Sequence, residues 1–407
     1  MAAVQPIEQR ISRSFETEFA TPDTVRPRLD SIDLLRGLVM ILMALDHTRD
    51  FFTNAHFDPT DLSQTTAALF LTRWVTHFCA PVFTFLAGAG AYLAAARGKT
   101  RPQLSRFLLT RGLWLIVLEY TVVWFGITFH FDWHFLPASV LWALGLGMIV
   151  LAGLVHLPLP VIAAFAVMTI AGHNLFDAVR PDQLGPLGPL WTVLHTRGPL
   201  PLTPSVTMFV HYPLVPWIGV MAAGYVFGAV FLLNRPRRRT TMLGLGASLV
   251  LLFVALRATN FYGDPHPWSP RQDALFTVLS FLNCQKYPPS LLYLLMMLGP
   301  ALLALSVFER GLGRLGRPLL MFGQVPLFFY LLQWYAAHLL AVVVNAALGR
   351  PAPWLLGGAP WNAPQGYGYS LGVVYLMWIV VLVLLYPPCR WFAALKRRRR
   401  DAWLSYF

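Results

Sequence analysis

Residues 36–52 read RGLVMILMALDHTRDFF, and the stretch contradicts itself. From Gly37 to Leu45 it is apolar enough to lie in a bilayer. Yet Arg36 precedes that run, and Asp46, His47, Arg49 and Asp50 close it. Composition settles the environment. The 407 residues are 57% hydrophobic and only 12% charged, about half the charged fraction of an ordinary soluble domain. Apolar runs of membrane-crossing length recur along the whole chain. The sequence is that of an all-α, polytopic transmembrane helix bundle.

About ten spans can be counted: 33–52, 76–96, 107–128, 138–156, 159–176, 212–233, 240–261, 289–308, 318–348 and 370–388. The ninth is too long for one straight crossing. Pro326, in FGQVPLFFYLL, marks a kink or a short interfacial or re-entrant helix ahead of the span. In KYPPS, Lys286 to Ser290, the prolines read as the first turn of the eighth span. FLAGAGAYLAA (residues 85–95) is a small-residue surface that lets neighbouring helices approach closely.

Lys and Arg orient the bundle. With the N-terminus cytoplasmic, 21 of the 31 fall in inside segments and 7 in outside ones, while Arg36, Arg111 and Arg257 lie within spans. Both termini are therefore expected in the cytoplasm. The chain divides into an N-terminal tail (1–31), expected to be flexible, a transmembrane domain (32–388) and a basic tail (389–407). Residues 1–31 lack the apolar core of a signal peptide. The net charge of +13 does not indicate a nucleic-acid partner. NRPRRRT and KRRRRDAW each abut a span, where they anchor topology against anionic lipid of the bilayer.

Cys79, Cys284 and Cys389 show neither CxxC spacing nor a disulfide framework. No HExxH or comparable spacing suggests a metal. Polar residues inside spans are costly and mark function. Arg36 and His47 are eleven residues apart, so they share one helix face about 16 Å apart along the axis. A fixed cation thus stands at the inner end of that face and a titratable base at the outer end. Asp46 and Asp50 flank the imidazole, and a carboxylate beside it would orient it and raise its basicity. Glu119, in LWLIVLEYTVVWF, needs a spatial partner, for which Arg257 and Arg36 are candidates. Gln333, His338 and Asn345 read as interhelical hydrogen bonders. Lys286 can face an anionic substrate from the outer side, where His77 and most other histidines also fall.

Several motifs in order resemble a known family: SIDLLRGLVMILMALDH, THFCAPVFTFLAGAGAYL, WALGLGMIVLAGL, HYPLVPWIGVMAAGYVFG, KYPPSLLYLLMMLGP and FGQVPLFFYLLQWYAAH. Together, from about Ser31 to the C-terminus, they resemble the bacterial branch of the heparan-α-glucosaminide N-acetyltransferase catalytic-domain family. The Arg-to-His spacing is also similar to that of the wider transmembrane acyltransferase superfamily. The resemblance implies O- or N-acyl transfer from cytoplasmic acetyl-CoA (or another acyl-CoA) to a sugar or glycan on the extracytoplasmic side. It implies a multi-pass protein of the cell membrane, the inner membrane in a bacterium.

Arg36 would then hold the cofactor, with Arg111 a second candidate, and His47 would be the base or acyl carrier. The eukaryotic members' catalytic histidine is assigned to the loop after the first helix, so His56, in TNAHFDPTDL, competes with His47. Glu119 is a further catalytic candidate, and Lys286 and His77 are candidates for substrate contact. A homo-oligomer is compatible with the sequence. The rival reading is a proton- or ion-coupled transporter, which also uses buried charge. The paired broken helices and internal symmetry of many transporters are not visible in this sequence.

Overall fold

A computed structural model describes residues 29–314, 316–350, 352–399 and 401–406. Most of the N-terminal tail read from the sequence lies outside these residues. All ten expected spans are helical. Eight helical segments are long and apolar enough to cross a membrane: 67–96, 101–128, 159–176, 214–232, 235–259, 291–308, 326–347 and 371–398. The other two are α1 (Asp30–Phe52), which carries the charges of the opening stretch, and a shorter apolar helix, Val140–Leu154.

The first crossing after α1 is built from α2 (Ala67–Thr76) and α3 (Cys79–Ala96). The next comprises α4 (Arg101–Leu118), a π-helical turn at Glu119–Val123 and α5 (Trp124–Thr128). Then come α6 (Val140–Leu154), α7 (Leu159–Gly172), α8 (Gly188–Leu194), α9 (Leu214–Phe227) and α10 (Arg235–Thr259). The last five are α11 (Ala274–Leu282), α12 (Leu291–Phe308), α13 (Gly316–Gly323), α14 (Pro326–Ala347) and α15 (Leu371–Arg398).

The charged helix α1 is central rather than peripheral, packing against α2, α3, α12, α13, α14 and α15. Glycine makes the closest of these contacts. A Cβ on Gly37 would lie 1.9 Å from the Leu319 carbonyl oxygen, and one on Gly323 would lie 1.8 Å from that of Asp33. Only a bare backbone lets α13 meet α1 so closely. At the same end, Ser31 donates to Glu309 at 2.5 Å and Glu309 pairs with Arg238, which ties together α1, α12 and α10.

The ninth span divides at Gln324–Val325 as expected, a short helix preceding Pro326, which opens α14 where its missing N–H costs nothing. Three local expectations change. Pro288 and Pro289 precede α12 instead of forming its first turn; Ser290 is the N-cap, its hydroxyl accepting the Tyr293 N–H at 3.0 Å. The last helix passes through Pro387 and Pro388 and runs on to Arg398. A small sheet was not anticipated: β1 (Phe135–Ala138), β2 (Gly198–Thr203) and β3 (Val206–Val210), in the order β1-β3-β2. β1 runs parallel and β2 antiparallel to β3, pairing Phe135 with Thr207 and Gly198 with Val210. Pro199 and Pro201 fit because β2 is an edge strand.

Candidate active site

A cavity of about 360 Å³ runs between α1, α3, α4, α6 and α14. Arg97, just past α3, and Lys396, in the last turn of α15, line it at one end. Val140 and Leu141, the first residues of α6, line it as well. One complete crossing, α4 to α5, separates the end of α3 from the start of α6. The cavity therefore penetrates from one side of the bundle toward the other.

Its walls differ along that path. Arg36, Arg97, Arg111 and Lys396 contribute four cations, and Arg36 and Arg111 are close enough to repel each other. Arg36 also approaches Asp33 at 3.6 Å and donates to the Leu86 carbonyl at 3.4 Å. Deeper in, Met40, Met43, Phe83, Leu115 and Leu144 make the wall apolar. Two of the cations, Arg36 and Arg111, were candidates from the sequence. Lys396 was read only as part of a topology anchor and Arg97 only as one of the inside cations, because sequence order hides that their helix ends converge on one cavity.

Tyr330 lines the cavity and lies edge-on to the His47 imidazole, ring centres 6.1 Å apart. One turn along α14, Trp334 stacks on the same imidazole at 3.7 Å and 20°. Nδ1 of His47 is buried and makes no hydrogen bond among the described residues. The i, i+4 pair Tyr330 and Trp334 thus holds the ring by its faces and edges, not by a carboxylate. Neither aromatic residue was singled out from the sequence, although their spacing after Pro326 was visible.

The acidic flank of His47 turns elsewhere. Asp46 accepts from Arg73 at 2.7 Å and pairs with Arg49 at 3.1 Å, while Asp50 pairs with Arg49 at 2.7 Å. The structure therefore places neither carboxylate as the orienter of the imidazole. Lys286, 9% exposed, is close enough to act electrostatically on Asp46, His47 and His77. His77 is buried edge-on to Tyr293 at 5.7 Å, and its carbonyl accepts the Tyr293 hydroxyl at 2.8 Å. Lys286 and His77 join this cluster although they come from distant segments. Burial pushes the neighbouring Tyr287 phenol up, but Lys286 and Arg73 outweigh that and leave it below its ordinary value.

The competing histidine is in a different setting. His56 is exposed, and its Nε2 donates to the Tyr367 carbonyl at 2.8 Å. It does not line the cavity.

Glu119 is fully buried but meets neither Arg257 nor Arg36: its Oε2 accepts the Leu141 N–H at 2.9 Å, capping α6. Its π-helical turn supplies the extra residue that aims the carboxylate at that helix end. Arg257 instead serves the carbonyls of Phe281, His266, Ser280 and Asn283, with Asp264 at 3.7 Å. His338 and Asn345 do bond across elements, His338 to the Gly126 and Leu355 carbonyls and Asn345 with Tyr369. Gln333 departs from that expectation; both amide atoms are buried without a partner among the described residues. Those residues hold no group of three or more His, Cys, Asp or Glu placed to bind a metal.

A multi-pass helix bundle encloses a cation-lined cavity whose wall residue Tyr330 touches His47, an arrangement that suits a membrane-embedded transferase. The family comparison agrees. Residues 28–260, more than half of the chain, match the family model described as heparan-alpha-glucosaminide N-acetyltransferase, catalytic. The chain belongs to this family of membrane acetyltransferases. No curated protein matches the chain.

Proposed function

We propose that this protein transfers an acetyl or related acyl group from coenzyme A, entering from the cytoplasm, to a sugar or glycan acceptor on the extracytoplasmic side. One observation carries the reading: a single cavity has four cations among its lining residues and Tyr330, in contact with His47, deeper along its wall. Coenzyme A carries several phosphate charges and a slender pantetheine arm. Arg36, Arg97, Arg111 and Lys396 suit the phosphates, and the apolar wall suits the arm. The excess of Lys and Arg on the same side as the cationic mouth supports a cytoplasmic entrance.

In this reading His47 is the general base. It takes a proton from the acceptor hydroxyl or amine as that atom attacks the thioester carbon, and it returns the proton to the departing thiolate. Trp334 and Tyr330 keep the ring in place. Lys286 and His77 contact the acceptor from the outer side, and Arg73 holds Asp46 away from the imidazole. His56, exposed and bonded to a loop carbonyl, has no part in the chemistry. The match to a glucosaminide acetyltransferase family supports a sugar or glycan acceptor.

The test is acetyl-CoA-dependent release of free CoA by the purified protein, with and without a cell-envelope extract as acceptor. His47→Ala is expected to abolish release and His56→Ala to leave it within about threefold. Loss in His56→Ala with retention in His47→Ala would reverse the assignment. No release by the wild type above a protein-free control would sink the acyl-transfer reading.

A further inference from the structure

Gln333 is 0% exposed, and neither its Oε1 nor its Nε2 has a hydrogen-bond partner among the described residues. A buried amide with both ends unpaired is disfavoured. Its position in α14 is therefore informative. It follows Tyr330 by three residues and precedes Trp334 by one, so it stands one helical turn beyond the tyrosine that lines the cavity and touches His47. The hydroxyl of Thr48, next to His47 on the facing helix α1, is also buried and unpartnered among the described residues. Unpaired polar atoms thus occur on both helices next in sequence to the stacked pair His47 and Trp334.

Resting on the acyl-transfer reading, we propose that Gln333 is a catalytic residue that binds the acyl group in transit, its Nε2 donating to the thioester carbonyl oxygen as that oxygen gains negative charge. The step balances. The acceptor atom bonds to the acyl carbon and gives its proton to His47, the carbonyl π electrons move onto oxygen, and Nε2–H donates to that oxygen. The carbonyl then re-forms, the C–S bond breaks, and the thiolate takes the proton from the imidazolium. A preorganised amide in a water-poor site suits this role because its dipole is already aimed when the charge develops. The role also explains why an amide, and not a leucine, occupies a buried helix position with no partner among the described residues.

The proposal separates stability from activity in opposite directions. Gln333→Met keeps the length of the side chain and removes both unpaired polar atoms. It is expected to raise the detergent-solubilised protein's Tm while kcat for acetyl-CoA-dependent CoA release falls about 100- to 1000-fold, with KM for acetyl-CoA within threefold. Gln333→Leu is the second variant and should behave alike. A lowered Tm in both would mean the amide has structural partners and would overturn the proposal. So would a raised Tm with kcat unchanged. If the wild type itself releases no CoA from acetyl-CoA, the acyl-transfer reading fails and takes this role with it; an active wild type with an equally active Gln333→Met isolates the failure to Gln333.

Discussion

The imidazole of His47 lies flat on the indole of Trp334, ring centres 3.7 Å apart and 20° from parallel. The contact joins the C-terminal third of α1 to the third turn of α14, which begins just after the break at Gln324–Val325. In the proposed mechanism the ring's aim depends on this stack, since no carboxylate bonds to it. Trp334→Ala is therefore expected to lower kcat about 100-fold, the order of loss that accompanies a displacement of about 1 Å in a reacting group. Trp334→Phe keeps a stacking face and should lose tenfold or less. Steady-state kinetics of both variants check this, and equal activity in Trp334→Ala and wild type would show that the stack is only packing.

The cationic opening makes a separate prediction about binding. Arg111 lies 5.8 Å over the Phe107 ring and faces Arg36 across the cavity. Like charges held close together favour an anion between them. Arg111→Ala and Lys396→Ala are each expected to raise KM for acetyl-CoA about tenfold, or about 1.4 kcal/mol, with kcat within threefold. The effect should shrink at high salt, because an exposed mouth is screened. A fall in kcat without a change in KM would place these residues in the chemistry and not in cofactor capture.

Asp46 and Arg73 make a mostly buried ion pair, with side chains 15% and 16% exposed. Removing Asp46 leaves Arg73 without its carboxylate, whereas removing Arg73 leaves Asp46 still paired with Arg49 at 3.1 Å. Asp46→Ala should destabilise the protein by about 3–5 kcal/mol and Arg73→Ala by less, and the double variant should recover part of the Asp46→Ala loss. Thermal unfolding of the wild type and the three variants in one detergent measures the coupling. Additive losses would mean that the pair contributes nothing as a pair.

These residues also show what sequence order could reveal. The spans were legible because a crossing helix must be apolar over its whole length, and Arg36 and His47 stood out because charge inside that length is costly. The eleven-residue spacing puts both on one helix face; Arg36 lines the cavity, and His47 meets it through Tyr330. The partners of Asp46 were not legible in the same way. Arg49 is local and could be paired by spacing, but Arg73 reaches Asp46 only through the packing of α2 on α1. Glu119 was flagged as needing a partner, and the partner was a backbone N–H, which sequence does not mark. Lys396 read as a topology anchor and Arg97 as one inside cation among many for the same reason: their shared cavity is a tertiary fact.

The pH dependence of stability has a definite origin outside the spans. His211 follows β3, its N–H donating to the Ala138 carbonyl at 3.1 Å. Burial, with the Arg197 guanidinium nearby, pushes its imidazole down to about 4. The unfolded chain's histidine titrates near about 6.5. Between these values the unfolded state binds more protons, so stability falls as pH falls. The contribution is fully present above the unfolded value and is lost as pH drops through the folded one. The Tm is therefore expected to decline from about pH 6.5 to about pH 4, and His211→Gln should flatten part of that decline. Arg197→Ala, by removing the nearby cation, should raise the folded-state value and narrow the window from below. Melting curves across this range test the assignment, and an identical slope in His211→Gln and wild type would assign the pH dependence to another group.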